Sequence, residues 1–343
     1  MANYRATFGK KIKFLTSDLS MSTATEGEIF YSDTAKDFKV GVSLTAWSSG
    51  PSMNKARQSI MGASAAPATA AIGFGGYAPP IGPNASGGRA QTEEYNGSSW
   101  TEVGDLNTKK FSGAGFGTQT AAIKTGGVDG PYPATRSVNR TESWDGSSWT
   151  EVGDLGTARG QFPGIGIATA GLVVGGLVFP SRVANVEEWN GTAWSEETDL
   201  NEGRQEVMGL GVYNAALAVC GEPGSGTRVG KVEQWDGSSW TEVGDVNTIR
   251  TDAYHHFGSV TAGLIAGGQN PPNSPNILTN NETWDGSSWT NSPVSLGTAR
   301  YIHGGAGSTT AAIVFAGRTP SAPQAGDTEE LADAVTLKTI TDS

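Results

Sequence analysis

Between residues 47 and 335 the apolar positions fall in short runs, each closed by glycine. The runs read T-A-A-I-G-F-G-G ending at Gly76, T-A-A-I-K-T-G-G at Gly127, T-A-G-L-V-V-G-G at Gly176 and T-A-G-L-I-A-G-G at Gly268; two further copies relax the pair to V-C-G at Gly221 and F-A-G at Gly317. A polar stretch rich in Pro and Gly follows each run. Then comes an acidic residue, an aromatic, a polar turn and a tryptophan: E-E-Y-N-G-S-S-W ends at Trp100, E-S-W-D-G-S-S-W at Trp149, E-E-W-N-G-T-A-W at Trp194, E-Q-W-D-G-S-S-W at Trp240 and E-T-W-D-G-S-S-W at Trp289. Short runs bounded by turn residues predict β-strands. Two aromatics five residues apart around Asn-Gly or Asp-Gly predict a tight hairpin with a turn of two to three residues. Asn96-Gly97, Asp145-Gly146, Asn190-Gly191, Asp236-Gly237 and Asp285-Gly286 supply its positive-φ positions.

All ten tryptophans lie in this phrase or in its reduced copy, S-L-T-A-W at Trp47. A Trp buries on the order of 150 to 250 Å², roughly 4 to 6 kcal/mol at about 25 cal/mol per Å² before entropy is set against it. The ten therefore dominate the expected core. A basic residue follows the Trp by ten residues at Arg57, Lys110, Arg159, Arg204 and Arg250, and by eleven at Arg300, and leads into a Gly/Ala-rich stretch such as G-A-G-F-G. The period of 45 to 53 residues holds four short strands, the content of one propeller blade. Small residues suit an inner strand converging on an axis; the Trp pair suits the roomier outer strands.

The basic residue, double glycine, aromatic and following Trp resemble the kelch motif over residues 47–335, with a shorter aromatic-to-Trp spacing than most kelch repeats. The expected fold is all-β: a six-bladed kelch-type β-propeller over residues 47–343 behind a short N-terminal attachment segment, residues 1–46. Two closures are open. The strand of Trp47 completes the last blade, or Thr336 to Thr341 does so and Trp47 belongs to the anchor.

Residues 1–46 carry a basic patch, Lys10, Lys11 and Lys13, and then E-G-E-I-F-Y-S-D-T-A-K-D-F-K-V-G-V, which predicts two strands around a polar turn. Continued into L-T-A-W, this segment resembles hairpins of tail-fibre and other virion appendage proteins of tailed bacteriophages, especially marine ones. The resemblance covers about 25 residues. It implies attachment to other virion proteins through residues 1–46, a place at the tail or particle surface after synthesis in the host cytoplasm, and an anchor that can bring copies together as an oligomer.

Charged residues make up 17% of the chain and the net charge is −11, a balance that argues against nucleic-acid binding and against docking on an anionic membrane. No stretch approaches the roughly 18 apolar residues of a membrane span, and the start, M-A-N-Y-R-A-T-F-G-K-K, shows no apolar signal region. A single cysteine, Cys220, excludes an intrachain disulfide; it stands where sister copies carry Gly and reads as a small buried residue.

His255, His256 and His303 fall in inner-strand regions of the last two copies, but a metal site needs three or four ligands, and no metal or cofactor is expected. Arg57, Lys110, Arg159, Arg204, Arg250 and Arg300 could ring one mouth of the channel and hold an anion. They read instead as structural, bonding loop carbonyls or pairing with Asp105, Asp154, Asp199 or Asp245, because a feature present in every copy serves the frame. Copper-radical and sialidase-like chemistry lack their residues here: the cysteine reads as buried, the S-W-D-G-S-S-W turns miss the Asp-box spacing, and no carboxylate pair stands out. No enzymatic activity is expected. The Asn-Gly sequons read as turn chemistry.

The copies differ most between the glycine pair and the E-x-W hairpin, at 77–91, 128–140, 177–185, 222–231, 269–281 and 318–327. These loops emerge on one face, where variation on a rigid scaffold suits recognition. Tyr77, Tyr132, Arg136 and Phe179 are the candidate contacts. The expected function is a tail fibre or tail-associated adhesin recognising a host surface glycan or protein. The alternatives are a capsid, nozzle or baseplate decoration protein touching only virion neighbours, and a cellular kelch-type interaction scaffold.

Overall fold

The computed structural model describes residues 13–15, 29–32, 35–78, 87–129, 136–224, 226–252, 257–270 and 277–339. The chain divides into two compact units: residues 47–330, and residues 1–46 with 331–343.

The larger unit is a six-bladed β-propeller. Its second blade shows the pattern, with Ala114–Thr118 innermost, then Ala121–Thr125, Thr141–Trp144 and Trp149–Glu151, all antiparallel. The inner strands of the six blades, Met61–Gly62, Ala114–Thr118, Gly164–Ile167, Met208–Val212, Phe257–Ser259 and Gly304–Gly307, each adjoin the next and close into a ring. In the last blade the order is Gly304–Gly307, Ala312–Phe315, then residues 328–330 of the strand Thr328–Thr339 and residues 47–50 of the strand Asp37–Gly50, the parts of those strands that lie in this unit. The Trp47-bearing strand is thus the fourth strand of that blade, the first of the two closures expected from the sequence.

Packing follows the Trp phrase. Trp144 lies directly opposite Trp149 in the register, and the paired rings of five hairpins sit 5.1 to 5.4 Å apart. In four blades the first Trp donates its Nε1–H to a carbonyl of the inner hairpin turn of its own blade: Gln119, Ala168, Tyr213 and Val260, at 2.8 to 3.1 Å. The second Trp reaches the preceding blade. Trp149 donates to Thr92 Oγ1, Trp194 to Thr141 Oγ1 and Trp100 to Thr328 Oγ1. One indole therefore ties the blade to itself and the other ties it to its neighbour.

The hairpin turn is longer than the sequence suggested. Four residues separate the paired Trp144 and Trp149, and Asp145 N–H donates to Ser148 O. Gly146 alone takes positive φ there. Asp145 instead acts as an acceptor, its carboxylate receiving the Ser147 hydroxyl and the backbone N–H groups of Ser147 and Ser148. These bonds hold its pKa at about 2, with the Ser147 hydroxyl the largest influence.

In the smaller unit, Ile29–Ser32 pairs antiparallel with residues 37–40, the hairpin expected there. Tyr31 and Phe38 meet edge to face at 5.3 Å, and Lys13–Leu15 pairs parallel with residues 30–32. Lys10 and Lys11 lie outside the described residues.

Candidate functional site

The basic residues are buried. Arg57, Arg159, Arg204, Arg250 and Arg300 are fully enclosed, and each pairs at 2.5 to 2.8 Å with a glutamate of its own blade's third strand: Glu93, Glu187, Glu233, Glu282 and Glu329. The carboxylate finds further donors. Glu93, for example, accepts from Asn54 N–H and Nδ2 in the loop leading into the blade. Arg57 spends its remaining Nη1 donors on Gly75 O and Gln91 O, and Arg250 and Arg300 make the equivalent pairs of bonds. The pairing with Asp105, Asp154, Asp199 and Asp245 considered from sequence is replaced by these glutamates. The aspartates are exposed, and a buried guanidinium needs a partner buried with it.

The second blade is the exception. Lys110 stands where the others carry Arg, and a second buried cation, Lys124, lies opposite Glu142 in the register. Its Nζ donates to Arg140 O, the counterpart of the carbonyl that Arg57 reaches at Gln91 and Arg204 at Lys231. Two lysines here occupy the place of one guanidinium. Burial is the chief cause that lowers the Lys124 pKa to about 7, opposed by Glu142.

The backbone around each basic residue builds a frame at the axis. The second glycine of each pair donates to the carbonyl of the next blade's basic residue: Gly76 to Lys110, Gly127 to Arg159, Gly176 to Arg204, Gly268 to Arg300 and, across the closure, Gly317 to Arg57, at 2.8 to 2.9 Å. The first glycine is left-handed, and a Cβ on Gly126 would lie 2.8 Å from Arg159 O. Only Cys220 and Ala316, both small, replace it. Cys220 is fully buried, and burial pushes its thiol up to about 11, as suits an unreactive packing residue.

Two residues after each basic residue stands a second left-handed position, held by Ser59, Ser112, Gln161, Glu206, Asp252 and Ile302, with φ between 49° and 60°. Their main chains form a circle around the axis. Ser112 N–H donates to Ser59 O, Gln161 to Ser112, Glu206 to Gln161, Ile302 to Asp252 and Ser59 to Ile302. Outside this circle, the residue after each basic residue bridges the residue after the glycine pair: Gln58 to Tyr77, Phe111 to Val128, Gly160 to Leu177, Gln205 to Glu222, Thr251 to Gln269 and Tyr301 to Arg318.

This frame encloses an axial cavity of about 360 Å³ on the loop face, lined from all six blades, at the lower end of the ~300–1,000 Å³ range of ligand sites. The backbone repeats; the side chains do not. On one side stand Tyr77, Phe111 and Tyr301, with Tyr77 and Phe111 edge to face at 5.3 Å. On another stand the carboxylates Glu206 and Asp252. Gln269 donates to Asp252. Glu206 is buried, and burial, followed by Asp252 and Glu222, raises its pKa well above the usual carboxylate value. Nearby, Glu222 pairs with Arg182 and lies 3.9 Å from Arg228.

Of the loop candidates, Tyr77 and Phe179 line this cavity, with Phe179 53% exposed. Arg136 does not: it sits in a separate groove of about 390 Å³ beside Lys109 and Arg140. Tyr132, His255 and His256 lie outside the described residues. His303 is buried with both ring nitrogens against carbonyls, those of Gly304 and Ala266. Burial, then Arg300, lowers its pKa to about 4, so the ring is neutral and donates from one nitrogen. Among the described residues no three His, Cys, Asp or Glu side chains converge as metal ligands. Sequence reasoning missed Glu206, Asp252 and Gln58. The available signal was their fixed offset of one or two residues from the basic series.

No protein-family model matches the chain, and no curated protein matches it. Among solved structures, that of YjhT superposes with a TM-score of 0.65 at 12% sequence identity, over 84% of this chain and 99% of YjhT. That likeness shows the propeller fold; propellers serve enzymes and binding proteins alike.

Proposed function

We propose that this chain is a non-enzymatic virion protein of a tailed phage, a tail fibre or tail-associated adhesin. Its kelch-type propeller recognises a glycan or protein of the host surface, and residues 1–46 attach to other virion proteins. Recognition is supported by one observation. A main-chain frame repeated in six blades presents dissimilar side chains around one cavity on the variable-loop face. Structural roles repeat with the blade, whereas a ligand has no six-fold symmetry and calls for differences among them. The virion assignment rests on the resemblance of residues 26–47 to phage appendage hairpins.

Binding of fluorescently labelled protein to a panel of cyanobacterial and other marine bacterial cells tests the reading. Selective binding is expected, lost when Phe179 is changed to Ala and when loop 177–185 is exchanged for 222–231. Failure to bind any host, together with incorporation into particles that depends on residues 1–46, would make the protein a virion component that touches only its neighbours.

A further inference from the structure

We infer that the axial cavity is a binding site for an uncharged or cationic sugar ring, a neutral hexose or amino-sugar unit, and disfavours acidic sugars. This deepens the recognition reading and rests on it for the source of the sugar on a cell surface.

Unpartnered acceptors carry the argument. Glu206 and Gln58, only 7% and 8% exposed, both line the cavity, and neither Glu206 Oε2 nor Gln58 Oε1 has a hydrogen-bond partner. The nearest cation to that Glu206 oxygen is Arg228, at 4.0 Å. Gln161, also in the lining, leaves its Oε1 unpartnered too. Three acceptors of the cavity lining that no protein group satisfies suit a ligand rich in donors. Sugar hydroxyls and an ammonium group are such donors.

The opposite wall supplies the second half of sugar recognition. Tyr77, Phe111 and Tyr301 offer aromatic surface to the apolar face of a pyranose, with Phe179 exposed at the rim. Charge sets the preference. Two carboxylates, Glu206 and Asp252, line the cavity against one guanidinium, Arg318, which lies over the Tyr301 ring at 5.8 Å. The cations nearest to Glu222, Arg182 and Arg228, are already engaged with it. Burial and the neighbouring Asp252 and Glu222 already disfavour negative charge at Glu206, and an anionic sugar would add more of it to this wall, whereas a neutral ring or an ammonium would not.

The full-length protein is titrated by calorimetry and saturation-transfer NMR against glucose, galactose, mannose and glucosamine, with glucuronate and N-acetylneuraminate as anionic counter-probes. At least one neutral or amino sugar is expected to bind, with the anionic sugars at least about tenfold weaker. Glu206→Leu and Gln58→Leu, each verified as folded by near-ultraviolet circular dichroism, are each expected to weaken binding about tenfold. The inference is overturned by absence of binding to every neutral and amino sugar, by equal or tighter binding of the anionic ones, or by unchanged affinity in both folded variants. The cell assay separates this result from the recognition reading. Cells bound equally well by wild type and Glu206→Leu would remove the cavity and leave recognition standing; sugar binding without cell binding would do the reverse.

Discussion

Lys124 allows a quantitative test of the frame. In the folded protein its ammonium is fully buried and its pKa falls from 10.5 to about 7, burial being the main cause. Each tenfold change in proton affinity is worth about 1.4 kcal/mol, so the displacement corresponds to at most about 5 kcal/mol. Between pH 7 and 10.5 the unfolded chain holds the Lys124 proton and the folded chain has released it. Raising the pH through that window therefore stabilises the fold, and below it Lys124 is protonated in both states and contributes no slope. Val stands at the equivalent position in the third and sixth blades, as Val173 and Val314. Replacing Lys124→Val should thus remove the pH-dependent term without breaking the strand. Urea unfolding of both proteins from about pH 6 to 10 is the assay. The stability of wild type relative to the variant should climb with pH by up to about 1.4 kcal/mol per pH unit. A difference that is flat, or that falls as pH rises, would refute the buried-ammonium reasoning. Lys110→Arg combined with Lys124→Val should recover more stability at neutral pH than Lys124→Val alone, because it restores the single guanidinium of the other blades.

Two further perturbations address the ties within and between blades. Arg204→Met leaves Glu233 buried without its cation and should cost about 3 to 5 kcal/mol; adding Glu233→Gln should return part of that loss, read as a non-additive double-mutant cycle. Thr92→Val removes the acceptor of the buried Trp149 Nε1–H and should cost about 1 to 3 kcal/mol. The reciprocal change, Val232→Thr, offers an acceptor to Trp289 Nε1, which has no partner, and should raise the melting temperature.

The sequence shows the blades because their determinants sit close together along the chain. Trp pairs, Asn-Gly or Asp-Gly turns and glycine pairs each act within one hairpin, so six copies in register disclose both the unit and its number. The partner of each basic residue was harder to find. Arg159 and Glu187 lie 28 residues apart, and the acidic residue nearer in sequence, Asp154, turns out to be exposed. The lysine exchange in the second blade did leave a trace: Lys124 interrupts an apolar run in the same copy whose basic residue is Lys rather than Arg. The axial circle left almost none. Ser59, Ser112, Gln161, Glu206, Asp252 and Ile302 share no chemistry, and what they have in common is a place two residues after the basic residue and a backbone angle.

That angle bears on function. Each blade has two left-handed positions near the axis. The first is filled by Gly in four blades and by Cys220 or Ala316 in the others, as expected where a side chain meets a carbonyl. The second carries no Gly in any blade, although a left-handed L-residue costs about 1 to 2 kcal/mol and the circle is made by main-chain bonds that glycine would keep. On the proposed reading, side chains kept at that cost trade stability for binding in the cavity. Glu206 carries the burden most heavily, being left-handed, buried and short of a partner at Oε2. Glu206→Gly relieves both the strain and the unpartnered oxygen, offset by about 1 kcal/mol of added freedom in the unfolded chain. Its melting temperature should equal or exceed that of wild type while sugar affinity in the cavity is lost. A clear fall in melting temperature would mean that Glu206 belongs to the frame after all, and the axial side chains would have to be read as supports rather than as a site.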